Sequence, residues 1–384
     1  MEEEEETKPS IVIDNGSGYI KFGFSGEENP IVIPSCVGYP KYSQSMELGD
    51  KREFLIGSEA EDKRSVLNLK YPIENGVIDN WDDMEKIWSN IFTYKLIVDP
   101  YEHKVMLTEP IMNPKKKREL MAMCMFETFN VPGLYIANQG VLSLLSTGKF
   151  TGFVVESGES ITQFIPIFEA FCLSHANNKI YFGGRTLTKF MMLLLTETGQ
   201  NFSTPVEKEI VKHIKEKACY VALDFEDELK SVEPFDYELP DGNHVIIKDQ
   251  RIKCTESIFG PSTLYNYDCL NLYLTPPKKG LSESCYDSIL KCDIDLKKDL
   301  YHNIVLSGGN SMFNGFQERL TKEIKAFAPY SMKEEVRVFA SYERKFAVWS
   351  GGSILSSLST FESKWFTKEQ YEEYGASYFH RIFF

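Results

Sequence analysis

Ile11-Val-Ile-Asp14-Asn-Gly16-Ser17-Gly18-Tyr-Ile-Lys21 is the stretch on which the predicted fold depends. Its three β-branched residues predict a short buried strand that ends at the acid Asp14. The glycines of the following turn let the backbone approach a ligand closely, and successive turn N–H groups can form an anion-binding concavity. Lys21 adds positive charge, and Asp14 is the kind of carboxylate that holds hydrated Mg²⁺. The same residues are also ordinary hairpin chemistry, so this stretch alone leaves a phosphate cradle and a plain turn both open.

A second stretch repeats this plan of strand, acid, small residue, glycine and return strand. It is Phe153-Val-Val-Glu156-Ser157-Gly158-Glu159-Ser160-Ile-Thr-Gln163-Phe164. When the two stretches are overlaid, Glu156 falls on Asp14 and Gln163 falls on Lys21. Such internal repetition indicates duplicated units. Two turns of this kind, facing each other across a cleft, would hold a polyphosphate between them.

Length and composition limit the class of protein. The chain has 384 residues, of which 42% are hydrophobic, and this predicts a globular protein of about two or three domains. The net charge of −14 argues against nucleic acid as the main ligand. Part of that charge lies in the Glu2–Glu6 run, which predicts a solvated tail suited to basic partners.

The cysteines and the apolar segments indicate the compartment. None of the eight cysteines forms a CxxC pair or has zinc-ligand spacing, and most are interpreted as small buried hydrophobic residues. No apolar run of about 18 residues predicts a membrane span, and the acidic N-terminus predicts no signal peptide. We therefore expect a cytoplasmic protein, with the nucleus as the alternative.

Hairpins followed by strand–helix units recur in both halves, which predicts two α/β domains around a central cleft. Gln139 follows a predicted strand and begins a helix. Residues Glu207–Leu229 predict one long amphipathic helix with Lys212, Lys215 and Glu216 at its polar edge. Residues 260–284 predict an apolar loop, either a contact site or a segment folded back on its own domain. Ser307-Gly308-Gly309-Asn310 predicts a turn that a flat ring or a phosphate could approach.

Several longer blocks show that the chain resembles the actin family over nearly its whole length. They include Leu69-Lys-Tyr-Pro-Ile-Glu74, Asn80-Trp-Asp-Asp-Met-Glu-Lys-Ile-Trp88, Met125-Phe-Glu-Thr-Phe-Asn-Val-Pro132 and Ala218-Cys-Tyr-Val-Ala-Leu-Asp-Phe-Glu226. The resemblance implies the α/β, ribonuclease H-like fold of actin-like ATPases, with two duplicated domains around a nucleotide cleft. It further implies subdomain 1 at 1–35, 73–146 and 347–384, subdomain 2 at 36–72, subdomain 3 at 147–183 and 272–346, and subdomain 4 at 184–271.

The resemblance also implies an ATP or ADP site with Mg²⁺ or Ca²⁺. The divalent ion would be held through water by Asp14 and Glu156, and the attacking water would be oriented by Gln139. The phosphates would be held by Ser17, Gly18, Tyr19 and Lys21 on one side and by Gly158, Glu159 and Ser160 on the other. The ribose and base would be contacted by Gly184, Lys212, Lys215 and Glu216, and the adenosine pocket would be closed by Gly309, Asn310, Met312, Phe313 and Lys345.

The second turn departs from the family's usual pattern of Asp-Ser-Gly-Asp-Gly-Val-Thr-His. It has the longer acids Glu156 and Glu159, Ser160 in place of glycine, and Gln163 in place of histidine. An amide cannot act as a titrating proton relay near neutral pH, whereas histidine can. We therefore expect a weak ATPase that is slower than ordinary actin.

Three functions are open at this stage. The first is a cytoskeletal protein that forms filaments and binds profilin-like, cofilin-like or myosin partners. The second is an actin-related scaffold subunit of a larger complex, such as a chromatin remodeller or a dynactin-like assembly. The third, a small-molecule kinase, is the weakest, because no spare carboxylate base is evident in the motifs.

Overall fold

A computed structural model of the protein describes residues 8–41, 52–266 and 277–382. The Glu2–Glu6 run and the middle of the 260–284 segment lie outside these ranges. The chain divides into two compact units. The first comprises Met1–Phe150 and Phe346–Phe384, and the second comprises Thr151–Lys345. The finer division into four subdomains stays a prediction.

The strands and helices are numbered in chain order. The strands are β1 Ile11–Asn15, β2 Tyr19–Phe24, β3 Ile31–Pro34, β4 Val37–Pro40, β5 Leu55–Ile56, β6 Leu67–Lys70, β7 Ile73–Glu74, β8 Val77–Ile78, β9 Val105–Glu109, β10 Gly133–Asn138, β11 Gly152–Ser157, β12 Thr162–Phe168, β13 Phe171–Cys172, β14 Asn178–Ile180, β15 Phe235–Glu238, β16 His244–Ile247, β17 Ile304–Ser307, β18 Val338–Phe339 and β19 Phe366–Thr367. The α-helices are α1 Ser58–Asp62, α2 Trp81–Asn90, α3 Lys115–Met123, α4 Gln139–Leu145, α5 Gly184–Glu197, α6 Pro205–Ala218, α7 Phe225–Glu228, α8 Gln250–Phe259, α9 Leu281–Leu290, α10 Ile294–His302, α11 Phe316–Phe327, α12 Ala347–Ser357, α13 Lys368–Tyr374 and α14 Phe379–Ile382.

The main sheet of the first unit has the strand order β19-β10-β9-β1-β2-β3. Strand β1 is buried along its whole length, as its apolar sequence predicts. It pairs antiparallel with β2 and parallel with β9, which is itself parallel to β10. Helix α2 begins at Asn80, whose side chain accepts a hydrogen bond from the Asp83 backbone and so caps the helix. Its apolar residues Met84, Ile87 and Trp88 are buried, as are Ile91 and Phe92 directly after it.

The main sheet of the second unit repeats the arrangement, with the order β18-β17-β11-β12-β13 and with β14 also paired to β12. Strand β11 pairs antiparallel with β12 and parallel with β17, which is parallel to β18. The hairpin registers correspond as well, because Asp14 lies opposite Lys21 and Glu156 lies opposite Gln163. The predicted overlay of the two stretches is therefore confirmed, and each unit is built on the same α/β plan.

The predicted helix over Glu207–Leu229 is wrong beyond Ala218. Helix α6 ends there, and only the short α7 follows. The backbone between them bonds to side chains elsewhere in the unit. The carbonyl of Ala218 accepts from Arg251, that of Tyr220 from Thr255, and that of Ala222 from Arg319. Because tertiary partners satisfy these carbonyls, the helix gains nothing by continuing through them.

Two further predictions are corrected. Lys215 does not lie at a solvent-facing edge, since it is only 3% exposed. The 260–284 segment is not a loop throughout, because helix α9 begins at Leu281 and residues Pro261–Asn266 form a 3-10 helix. None of the helices in the described ranges is long and apolar enough to cross a membrane.

Candidate functional site

The first turn places a buried carboxylate among three donors. Asp14, at the end of β1, is 2% exposed. One of its oxygens accepts from Lys21 Nζ at 2.9 Å, and the other accepts from Thr108 Oγ1 at 2.8 Å and from Gln139 Nε2 at 3.3 Å. Gln139 is held there as the first residue of α4, which the Asn138 side chain caps. The structure therefore brings Asp14, Lys21 and Gln139 into contact, as expected if they belong to one binding site.

The other predicted residues of this turn lie between β1 and β2. Ser17 is buried, and its hydroxyl accepts from the Gly76 backbone at 3.1 Å. The carbonyl of Gly18 accepts from the Ser35 backbone at 2.9 Å, and Tyr19 begins β2. These contacts fix the turn on both sides, so its backbone is preorganised for a ligand.

The second turn repeats the geometry with different chemistry. Gln163 is 1% exposed and donates from Nε2 to Glu156 Oε2 at 3.3 Å, which corresponds to the bond from Lys21 to Asp14. The Gly158 backbone donates to the Ile161 carbonyl at 2.9 Å and closes the turn, in which Ser160 is buried. A neutral amide thus occupies the position where the first turn has an ammonium group.

Helices α5 and α6 carry the residues predicted for the ribose and base. Lys215 Nζ donates to the Gly184 carbonyl at 2.9 Å and to Thr188 Oγ1 at 3.0 Å. A Cβ atom at Gly184 would lie 2.7 Å from Glu159 Oε2, the end of a flexible side chain, so the Glu159 carboxylate lies close to this glycine. Lys212 forms an ion pair with Glu209 at 2.9 Å, and Glu216 is exposed. Gly184, Glu159 and Lys215 are therefore neighbours, while Glu216 is open to solvent.

The glycine pair after β17 forms the remaining predicted wall. Gly308 has a φ of 87°, and a Cβ there would lie 2.2 Å from the Ser157 carbonyl, so this position requires glycine. Asn310 donates to Ser157 Oγ at 3.0 Å, which joins this turn to β11. The turn also contains Gly309, Met312 and Phe313, and it is tied to the Arg344 carbonyl, whose neighbour Lys345 is exposed.

Sequence reasoning missed the hydroxyl groups that organise both turns. Thr108 Oγ1 donates to Asp14 and accepts from the Asn15 backbone at 3.1 Å. In the second unit, Ser157 Oγ and Thr162 Oγ1 lie 2.8 Å apart. The available signal was a polar residue inside an otherwise apolar strand, as in Val105-Met-Leu-Thr-Glu109.

The chemistry of the two turns suits a ligand that carries amine groups and a hydrated cation. The buried Oδ1 atom of Asn310 has no hydrogen-bond partner in the described structure, so the glycine-pair turn retains an unused acceptor that a ligand amine would satisfy. Carboxylates such as Asp14 and Glu156 suit a hydrated divalent ion. In the described ranges, no group of three or more His, Cys, Asp or Glu residues is placed to hold a metal, so such an ion would need water or ligand oxygens as well.

Comparison with protein-family models gives a match of nearly full length. The model described as Actin matches residues 5–384. The match includes both turns, helices α5 and α6, and the glycine-pair turn.

Proposed function

Because the chain belongs to the actin family, we propose that it is an ATP-binding protein that assembles into filaments and hydrolyses ATP slowly. The observation that carries this proposal is the family match over residues 5–384. Support comes from the duplicated turns, each with a carboxylate at the end of a buried strand and a donor opposite it.

In the proposed site, the first turn binds phosphate through the backbone of Ser17, Gly18 and Tyr19 and through the ammonium of Lys21. Lys21 is ion-paired with Asp14. In the proposed site, a phosphate would bind the Lys21 ammonium and a cation would bind the Asp14 carboxylate. The second turn binds the terminal phosphate through Gly158, Glu159 and Ser160. Lys212, Lys215 and Glu216 bind the ribose and base beside Gly184, and Met312 and Phe313 provide apolar contact for the adenine ring.

A bound Mg²⁺ or Ca²⁺ would neutralise phosphate charge and position the phosphate chain. Asp14 and Glu156 would hold it through water. Gln139 donates from its amide nitrogen to Asp14, and this contact supports its proposed role in orienting the attacking water. Gln163 would hold a second water by hydrogen bonding, but its amide does not accept a proton. This difference is the reason for proposing slow hydrolysis.

Nucleotide retention is the direct test of ATP binding. Purified protein would be incubated with ATP and Mg²⁺, desalted, denatured and assayed for released nucleotide. The proposal expects about one adenine nucleotide per chain, as a site that releases its ligand slowly, with nanomolar affinity or better, would retain. Absence of any retained ATP or ADP would contradict it.

A pelleting assay tests filament formation. With Mg²⁺ and ATP, the protein is expected to sediment above a threshold concentration and to remain in the supernatant below it. Persistent solubility at all concentrations would favour the scaffold role instead. We also propose a cytoplasmic, cytoskeletal location, with actin-binding partners of the profilin, cofilin and myosin kinds.

A further inference from the structure

Two helices of the second unit concentrate positive charge on a protein whose net charge is −14. Arg185 and Lys189 lie one turn apart on α5, and Lys208, Lys212 and Lys215 follow one another at helical spacing on α6. Residues at such spacings share one face of a helix. Helices α5 and α6 pack against each other. We call these five residues the two-helix cluster.

The cations of the two-helix cluster outnumber the acids beside them. Glu209 is paired with Lys212, Glu216 is exposed, and Glu159 lies over Gly184, where its backbone carbonyl accepts from the Arg185 backbone at 2.7 Å. Lys189 and Lys208 form no ion pair with the described residues. Part of the cluster's charge is therefore not matched by protein carboxylates.

The environment of Lys208 disfavours its charged form, mainly through burial. Burial, followed by the nearby charges of Arg185 and Lys189, lowers the pKa of Lys208, and Glu159 and Glu209 offset this only in part. A group in this position favours its charged form when an anion arrives. Arg185, Lys189 and Lys208 are all half-buried rather than fully enclosed, so an anion can reach them.

We infer that Arg185, Lys189 and Lys208 bind a phosphate group other than those held by the two turns, namely a phosphate ester on the ribose of the bound nucleotide. The inference rests on the proposed nucleotide site, in which Gly184, Lys212 and Lys215 contact the ribose and base. Lys208 precedes Lys212 by one helical turn, and Arg185 follows Gly184 directly. A phosphate dianion accepts several charge-assisted hydrogen bonds at one point, which suits a compact group of cations.

The test compares ADP with its 3′-phosphate derivative by calorimetric titration of the full-length protein with Mg²⁺. The 3′-phosphate is expected to tighten binding about tenfold at low salt, with the advantage shrinking as salt is raised. The double variant Lys189→Gln with Lys208→Gln should bind ADP normally and lose this advantage. The charge reversal Lys189→Glu with Lys208→Glu should make the 3′-phosphate unfavourable.

A matched control reverses two charges elsewhere in the same unit. Lys230 and Lys298 have side chains 74% and 65% exposed, and the variant Lys230→Glu with Lys298→Glu should keep the preference for the 3′-phosphate. A second arm adds inorganic pyrophosphate to the ADP-loaded protein. If pyrophosphate binds and its binding requires Lys189 and Lys208, the cluster recognises phosphate as a free anion as well as on the ribose.

The outcomes separate this inference from the proposed function. If neither ADP nor ATP binds, the proposed function fails. If ADP and its 3′-phosphate bind equally and pyrophosphate does not bind, only the inference is overturned. It is also overturned if a glutamate-rich peptide, but neither phosphate probe, binds in a manner that depends on Lys189 and Lys208.

Discussion

At the scale of single residues, the two turns differ most in the group that faces the strand-end acid. Lys21 forms an ion pair with Asp14, whereas Gln163 donates a neutral hydrogen bond to Glu156. The backbone register is the same in both hairpins. The difference is therefore chemical rather than geometric, and one substitution can probe it.

Gln163→His is expected to raise the rate of ATP hydrolysis about tenfold or more, because an imidazole can accept a proton and an amide cannot. Phosphate release would be followed at several pH values. The variant should show a new pH dependence near about 6.5, the usual pKa of histidine. Gln200→His, in the loop between α5 and α6, serves as the control. An unchanged rate and pH profile would exclude the role proposed for residue 163.

Thr108→Val is expected to lower the free energy of unfolding of the first unit by about 1–3 kcal/mol. The substitution removes a buried hydroxyl that donates to Asp14 and accepts from the Asn15 backbone, and it leaves both partners without that bond. Urea unfolding measures the change. Thr196→Val, on the exposed face of α5, should have little effect, and equal losses in the two variants would refute the structural role of Thr108.

At the scale of secondary-structure elements, Arg251 is the side chain that contacts the last residue of helix α6. Its guanidinium donates to the carbonyls of Ala218 and Glu233. It also lies 5.0 Å from the ring centre of Tyr220 and 5.4 Å from that of Phe235. The Arg251 side chain, which comes from α8, thus caps α6 and contacts the segment that follows α6.

Arg251→Ala is expected to destabilise the second unit by about 2–3 kcal/mol, since it removes two charge-assisted hydrogen bonds and the contacts with both rings. Calorimetric unfolding would show the loss. Lys253→Ala, on the same helix, removes only a half-exposed pair with Asp249 and should change stability by less than about 0.5 kcal/mol. A similar small change for Arg251→Ala would mean that the end of α6 is set by other contacts.

At the scale of the whole molecule, nucleotide and cation are expected to contribute to stability as well as to function. A ligand present at about 100 times its dissociation constant stabilises the folded state by about 2.7 kcal/mol. For units of this size, that corresponds to a shift in Tm of about 5–10 °C.

Stripping the protein with EDTA should therefore lower the Tm by this amount, and adding back Mg²⁺ with ATP should restore it. Thermal unfolding by circular dichroism is the measurement. Mg²⁺ added back without nucleotide is the control and should restore little. Identical Tm values in all three states would count against a nucleotide site in the folded protein.

The sequence by itself determined the elements whose residues interact locally. An apolar strand, an acid and a glycine turn predict each hairpin, and their repetition predicted the duplication that the strand registers confirm. The glycine-pair turn was predicted for the same reason. The roles of the site residues came from the family resemblance, and they stay predictions.

Only the tertiary structure decided which distant groups meet. It placed Thr108 and Gln139 on Asp14, across 94 and 125 positions of sequence. It buried Lys215 against Gly184, and it ended α6 with Arg251. Helical periodicity reports only which residues share a face. Whether a backbone carbonyl or an ammonium group is satisfied depends on partners that packing supplies, and no local pattern encodes them.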